Sequence, residues 1–469
     1  MVGISAYGAY IPLYRLGKET KGWDLPVEKA IASFDEDSIS MAVAAVMDCL
    51  KGVGSQSIDS LFFASTTSPY GEKQAASLIA TAADLRSDIF TADSTNSLRA
   101  GTIALRMAID AIKGGSAKQV VVTAADCRKG PPKGSFDRTA GDGAAALLLS
   151  ATDVAVSIEG SFSISHEMVD VWRPEGDPFL RSWEDRFVIS QGYQKVIADA
   201  ISGLMQKYNL SAKDFTKAVF YGPDAGSHGA VGKALGFDAA TQIQNPMFGA
   251  IGSTGTAHAL MLLVACLEEA KPGDKILLAN YGDGADAFLL QVTDQITKIR
   301  NHQPIKGHLQ TKRILDNYDT YLRWRQYVPS EAARRPPLPT PSATCLWRER
   351  DKNLRFYGGK CRECGTIQYP PQRVCTRCHT KDQFDSIRLA EKRGELFTYA
   401  MDYIAGTVDV PLVISVVNFE GGGRILCAMT DRDIGEIKIG MPVAMSFRKL
   451  YSAGGIHNYF WKCTPIRGG

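Results

Sequence analysis

KCRECGTIQYPPQRVCTRCHT, residues 360–380, carries two Cys-x-x-Cys pairs, Cys361/Cys364 and Cys375/Cys378, separated by ten residues. A pair at this spacing sits on one tight knuckle, and two knuckles supply the four soft ligands of a tetrahedral zinc site. Four protein ligands leave no open coordination position, so the expected metal is structural rather than catalytic. Thiol–disulfide exchange by either pair is the competing chemistry, and the paired knuckles favour the metal. His379 is an alternative donor, but its neighbour Cys378 already has the required spacing. Tyr369-Pro370-Pro371 stiffens the backbone between the knuckles.

Downstream lie five short β patterns, Gly394 to Asp402, Val410 to Asn418, Arg424 to Met429, Pro442 to Tyr451 and Asn458 to Cys463, joined by glycine-containing turns. Five such strands predict a small barrel of the oligonucleotide-binding type, a fold that does not by itself establish nucleic-acid binding. Upstream, the prolines of ARRPPLPTPSA disfavour regular structure, and Pro336 to Pro341 is the best linker in the chain. Arg348, Arg350, Lys352, Arg355, Lys360 and Arg362 near the knuckles form either a solvated face or a local attraction for the phosphates of an anionic cofactor such as coenzyme A. In NYDTYLRWRQYV, Tyr318, Tyr321, Trp324 and Tyr327 recur at helical spacing beside Arg323 and Arg325. That pattern fits a packed terminal helix or a contact with a partner or nucleotide.

Further upstream the first 290 residues alternate apolar runs with helical patterns. Leu61 to Ala64, Gln119 to Thr123, Ala144 to Leu149 and Lys275 to Ala279 are expected strands; Ser38 to Leu50, Thr102 to Lys113 and Gly255 to Glu269 are expected helices. Asp37 is placed to cap the first of these helices. Strands covered on both faces by helices make an α/β layered fold. Residues 91–149 and 245–291 repeat one order of elements, and Gly141-Asp142-Gly143-Ala144 and Gly282-Asp283-Gly284-Ala285 each precede an apolar strand. An internal duplication follows as an expectation.

The chain has 469 residues with 45% hydrophobic content, enough for at least two cores. Its 53 basic and 50 acidic residues give a formal charge of +3, so charge alone implies no polyelectrolyte partner. The start MVGISAYGAYIPLY has no basic leader, and no apolar run is long enough to span a bilayer. Cys49, Cys127, Cys266, Cys345, Cys427 and Cys463 are scattered rather than framework-forming. A cytoplasmic protein bound to neither membrane nor nucleic acid is the expectation.

Three segments bear on chemistry. Ser97-Leu98-Arg99-Ala100-Gly101-Thr102 leads into a helix, Ser65-Thr66-Thr67-Ser68-Pro69-Tyr70 follows a strand, and Phe220-Tyr221-Gly222-Pro223 follows another. On these segments residues 1 to about 330 resemble the 3-hydroxy-3-methylglutaryl-CoA synthase branch of the thiolase superfamily. Residues 345 to about 465 resemble the DUF35-type zinc-ribbon and oligonucleotide-binding-fold proteins that accompany thiolases. The resemblance implies a duplicated thiolase-like fold over 1–330, a linker over 331–344, a rubredoxin-like ribbon over 345–384 and a barrel over 385–469. It also implies acyl-CoA as ligand and self-association through the synthase-like domain.

Catalytic members carry patterns similar to Ala-Cys-Lys-Ala-Gly-Thr, Ser-Glu-Ser-His-Pro-Tyr and Phe-His-Gln-Pro. By that resemblance Leu98 stands at the nucleophile position, Thr66 at the general-base glutamate and Tyr221 at the histidine. A leucine side chain forms no thioester, so the ping-pong route has no first covalent step. The expected protein is therefore a noncatalytic or accessory acyl-CoA-binding subunit that assembles with a separate thiolase-like catalytic chain for C–C bond formation or cleavage. The alternative is an atypical cysteine-independent acyltransferase, condensing enzyme or retro-aldolase. Its candidate residues are Asp93 and Ser97 beside the lost nucleophile, and Asp224 and His228 after the lost histidine. His258 fits a helix-packing group and Cys127 a buried strand end.

Overall fold

The computed structural model describes all residues except 300–303, 330–337 and 468–469. Residues 331–337 of the expected 331–344 linker fall outside the described residues. Two compact units form the chain: one of Met1–Ala32, Asp37–Ala80 and Leu85–Tyr321, the other of Ser33–Glu36, Thr81–Asp84 and Leu322–Gly469.

Nine strands build the sheet of the first unit: β1 (Gly3–Tyr10), β2 (Ser60–Ala64), β3 (Phe90–Ser94), β4 (Gln119–Asp126), β5 (Gly143–Ser150), β6 (Val156–Ser165), β7 (Lys217–Phe220), β8 (Lys275–Tyr281) and β9 (Gly284–Val292). Their order is β7-β8-β9-β6-β1-β5-β4-β2-β3. The pairings establish the duplication. In the first half β2 is parallel to β3 and β4, while β5 is antiparallel to β4 and β1. In the second half β7 is parallel to β8, while β9 is antiparallel to β8 and β6. Where the first half has β3, the second has a single parallel bridge from Ala218 to Ile243. A short β1–β6 pairing, Gly3 to Ser157 and Ile4 to Val156, joins the halves.

Helices cover the sheet. The ones that matter for the site are α1 (Ser38–Cys49), α2 (Ala75–Ala82), α3 (Ala100–Lys113), α4 (Ala225–Ala234), α5 (His258–Leu267) and α6 (Tyr318–Trp324). Asp37 caps α1 in a reciprocal box with Ser40. The helix expected from Thr102 starts at Ala100, and the one expected from Gly255 opens with a 3-10 turn over Gly255–Ala257. Helix α3 packs on β2, β4 and α5, and α5 lies on β5 and β7. The first turns of α3 and α5 therefore lie close together: a Cβ on Gly101 would stand 2.7 Å from the Thr256 carbonyl. In α6, Tyr318 and Tyr321 are buried, and both hydroxyls donate to Asp137, which also pairs with buried Lys29 at 3.1 Å. These two aromatic residues thus belong to the packing of the first unit.

In the second unit β10 (Tyr357–Cys361), β11 (Ile367–Gln368) and β12 (Phe384–Arg388) form the ribbon sheet. The closed barrel follows, β13 (Gly394–Asp402), β14 (Leu412–Phe419), β15 (Arg424–Met429), β16 (Pro442–Ala453) and β17 (Ile456–Pro465), in the order β13-β14-β15-β17-β16. Alternation fixes its faces: Val413, Ser415, Val417 and Phe419 of β14 point inward. Phe356 stacks on Trp461 at 5.6 Å, and the Trp461 indole donates to the Leu354 carbonyl, so the ribbon entrance rests on the barrel core.

Asp35 and Glu36 are buried within this unit. Asp35 accepts from Arg448 at 3.3 Å and Lys462 at 2.8 Å, and Arg448 also pairs with Glu36 at 2.8 Å and Asp431 at 2.7 Å. Asp84 takes part likewise, accepting from Arg355 at 2.6 Å and the Tyr357 hydroxyl at 2.8 Å.

Candidate functional site

Leu98 lies at the entrance to α3, half-buried and packed against the core. The second half holds this entrance in place. The Asn280 amide donates to the Leu98 carbonyl at 3.2 Å, and the Ser97 hydroxyl donates to the Gly282 carbonyl at 3.0 Å. A Cβ on Gly282 would come within 2.9 Å of the Leu98 nitrogen, so only glycine permits this approach. Arg99 pairs with Asp286 at 3.2 Å, and Thr102 donates to the same carboxylate at 2.8 Å. The backbone at the start of the helix is well held, but the side chain there is an isobutyl group without a lone pair.

Thr66 lies beside Asp126, a carboxylate at the end of β4 that is fully buried. Asp126 accepts from the Ser65 hydroxyl, the Thr66 amide and hydroxyl, the Thr67 hydroxyl and the Thr256 amide, all within 3.0 Å. With both oxygens engaged, it organises the 65–67 loop against the turn before α5 rather than serving as a vacant base. Gly255, at φ +61°, makes this possible, because a Cβ there would stand 2.2 Å from the Asp126 oxygen. Nothing in the sequence singled out Asp126; three consecutive hydroxyl residues after a strand were the available signal.

Tyr221 follows β7, buried, with Arg128 and Ser253 near its hydroxyl. Burial raises its pKa, and the Arg128 guanidinium opposes the rise. Two more tyrosines surround it: Tyr193 donates to the Tyr221 carbonyl at 2.8 Å, and Tyr281 donates to Asp170 at 2.8 Å. Burial also raises the pKa of Asp170. His258 meets the Tyr221 ring edge-on at 6.0 Å and stacks on Phe248 at 5.2 Å, and its Nδ1 accepts from the Thr254 amide at 3.3 Å.

The other candidates have separate partners. Asp93 accepts from the Ala75 and Ala76 amides at the start of α2. Asp224 caps α4, accepting from the Ser227 amide and hydroxyl at 2.8 and 2.7 Å. His228 is buried and stacks on Phe220 at 4.2 Å. Among the described residues no side-chain hydrogen bond joins Ser97, Asp224 and His228. Cys127 is partly buried, and its amide donates to Thr67 at 2.9 Å.

Desolvation lowers the pKa of His228 to about 4 and that of His258 to about 3, from 6.5. An unfolded chain takes up protons near pH 6.5, whereas the folded one holds both rings neutral. The stability present above 6.5 is therefore lost as pH falls toward 4. At about 1.4 kcal/mol per pKa unit the loss is on the order of 3 kcal/mol for each ring. Thermal melts from pH 7 to 4 should show it, and His228→Phe, which keeps the stacking, should flatten the slope. An unchanged slope would exclude His228 as a source.

In the ribbon the four sulfurs lie within 4.8 Å of one another. Across the knuckles Cys361 lies 3.6 Å from Cys378 and Cys364 lies 3.5 Å from Cys375. A zinc ion with Zn–S bonds of about 2.3 Å needs sulfurs about 3.8 Å apart, so the cluster fits the ion. The Thr366 hydroxyl, 3.1 Å from Cys364, helps lower that thiol's pKa to about 6, which favours the ligating thiolate. The basic residues nearby are shared among acids: Arg355 with Asp84, Arg362 with Asp385 at 2.8 Å and Lys352 with Glu349.

A duplicated sheet with two central helices starting at one site defines the thiolase-like class of α/β proteins. More closely, this chain belongs to the hydroxymethylglutaryl-CoA synthase family. It is 30% identical over 341 residues to the hydroxymethylglutaryl-CoA synthase of Methanopyrus kandleri, covering 69% of this chain and 97% of that protein. The Thermococcus gammatolerans hydroxymethylglutaryl-CoA synthase is 33% identical over 338 residues, covering 69% of this chain and 96% of the relative. Among solved structures, MvaS in complex with 3-hydroxy-3-methylglutaryl coenzyme A has the same fold, with a TM-score of 0.62 at 18% identity over 82% of this chain and 99% of that one. Residues 348–383 match the family model of the ChsH2 rubredoxin-like zinc ribbon domain, and residues 388–448 that of the ChsH2 C-terminal OB-fold domain. No helix among the described residues is long and apolar enough to cross a membrane.

Proposed function

We propose that the chain is an accessory acyl-CoA-binding subunit, without cysteine chemistry of its own, that assembles with a thiolase-like catalytic chain for C–C bond formation or cleavage. One observation carries this reading: Leu98 occupies the start of α3 in an otherwise well-tied framework, while Thr66 and Tyr221 stand where the base and histidine are expected. Acyl-CoA binding is supported by the family and by the bound ligand of the MvaS structure. The ribbon holds one zinc ion through Cys361, Cys364, Cys375 and Cys378 in a purely structural role. Self-association through the synthase-like unit is supported by β3, the last strand of its sheet, where Phe90 is 64% exposed.

A second reading, cysteine-independent turnover, is favoured by Asp170, whose raised pKa and position near Tyr221 and Tyr281 suit a proton acceptor. Native mass spectrometry of the complex from its source cells, with turnover assays on the purified homomer, separates the two. A thiolase-like chain in fixed stoichiometry, and a homomer that neither releases CoA nor gains acyl mass, are the expected results. Turnover by the homomer alone would overturn the accessory role.

A further inference from the structure

We infer that the outer face of barrel strands β13, β14 and β15, with the groove beside it on the ribbon, is the docking surface for an apolar, carboxylate-bearing segment of the thiolase-like catalytic chain. This rests on the accessory reading and adds where on this chain that partner sits.

The reason begins in the sequence of β14. A strand with one face in water alternates apolar and polar residues. Here Val413 and Val417 point inward, yet Leu412, Ile414 and Val416 on the other side are apolar too. The neighbouring strands continue that outer face: Ile414 pairs with Ala400 and Ala428, and Val416 with Thr398 and Leu426. Leu426 is 67% exposed, and Phe397, at the register shift of β13, is 46% exposed. A single exposed leucine is ordinary, but adjoining apolar rows across three strands mark a surface that is covered in use. Glu395, Asp402 and Arg424 are the charged residues of the three strands, and all stand near strand ends. An apolar centre with a polar rim is the anatomy of a protein contact. One cation beside two acids neutralises no run of phosphates, so the face suits neither a nucleic-acid backbone nor an anionic membrane.

Arg424 gives the contact its charge. Its guanidinium lies 4.1 Å from the centre of the Phe397 ring and its Nε donates to Asn418 at 2.7 Å, while no carboxylate among the described residues pairs with it. Arg424 also lines a groove of about 860 Å³ together with Ile367, Tyr369, Pro370 and Val374 of the ribbon. No acidic residue lines that groove, and its other guanidinium, Arg373, is already held by both oxygens of Asp382 at 2.7 Å. The complementary occupant therefore offers a carboxylate to Arg424 and an apolar side to Leu426 and Phe397. A second copy turned about a two-fold axis at the groove would oppose Arg424 with its own equivalent instead. The accessory reading supplies one different protein chain, the thiolase-like one, and that chain is the occupant assigned here.

The test uses the full chain, tagged and recovered with its partner from the source cells. Leu426→Glu and Arg424→Glu are each expected to lower the recovered thiolase-like chain on the order of tenfold. Leu450→Glu, at an exposed leucine of β16, is expected to leave it unchanged, and Trp461 fluorescence and zinc content should be the same in all three variants. Hydroxyl-radical footprinting of the unaltered complex against the unaltered chain alone gives a readout that does not depend on a variant's folding. Phe397 and Leu426 should be protected in the complex and Leu450 should not. A thiolase-like chain that stays bound with Phe397 and Leu426 unprotected overturns the docking face while the accessory reading stands. Protection that comes from a second copy of this chain, or that nuclease treatment removes, overturns the occupant. Absence of any thiolase-like chain from the unaltered preparation overturns both the face and the accessory reading.

Discussion

Metal removal from the full chain by a strong chelator is expected to unfold the ribbon while the synthase-like sheet stays folded. The ribbon sheet has strands of two to five residues, and its buried side chains include Phe356, Cys361, Ile367 and Cys375, two of them metal ligands. Such a segment has too little apolar surface to offset its chain entropy. Binding of structural zinc in comparable modules contributes about 10–16 kcal/mol, most of it expressed as folding. Hydrogen exchange should show residues 357–388 losing protection in the chelated protein and in Cys375→Ser, while β4 and β5 keep theirs. The change should reach Trp461 fluorescence, because Phe356 stacks on that indole. Exchange in the ribbon that is indifferent to chelation would rule out a structural metal.

Asp35→Ala is expected to destabilise the second unit by about 3–5 kcal/mol, the usual cost of stranding a buried charge. Arg448 and Lys462 are 1% and 4% exposed, so water does not replace the lost carboxylate. Burial by itself raises the Asp35 pKa, but Lys462 and Arg448 outweigh it and hold the group below its ordinary 3.8. The stability it contributes is therefore present above that value and lost as pH falls through the folded pKa. The double change Asp35→Ala with Lys462→Met should cost less than the sum of its single changes, since each removes the other's unpaired charge. Denaturant melts followed at Trp461 measure this directly; a cost under about 1 kcal/mol for the single change contradicts the buried-charge account.

The sequence showed the ribbon and the barrel clearly because both are written in local spacing. Two knuckles fix four ligands within 18 residues, and the strand faces of the barrel alternate with period two. Asp37 was legible as a cap for the same reason: its partner Ser40 is three residues away. The duplication was visible only as an order of elements, since its proof lies in strand pairings across the sheet. What escaped notice was non-local. Asp126 collects donors from residues 60 positions before and 130 after it, and Asp35 meets Arg448 across 413 positions. Cys427 and Cys463, scattered in the chain, are both buried in the barrel. Arg128 and Asp170 carry no motif, and their relation to Tyr221 exists only once the chain has folded.

Because the second unit recruits Ser33–Glu36 and Thr81–Asp84 from early in the chain, its cut points in space do not match any single cut point in the gene. A fragment beginning near residue 322 would be born without Asp35 and Asp84, leaving Arg448, Lys462 and Arg355 short of counter-charges. The two parts cannot be exchanged by simple transplantation into another chain. A lineage that split this gene in two would have to re-evolve those acids, or recover them by reassociation.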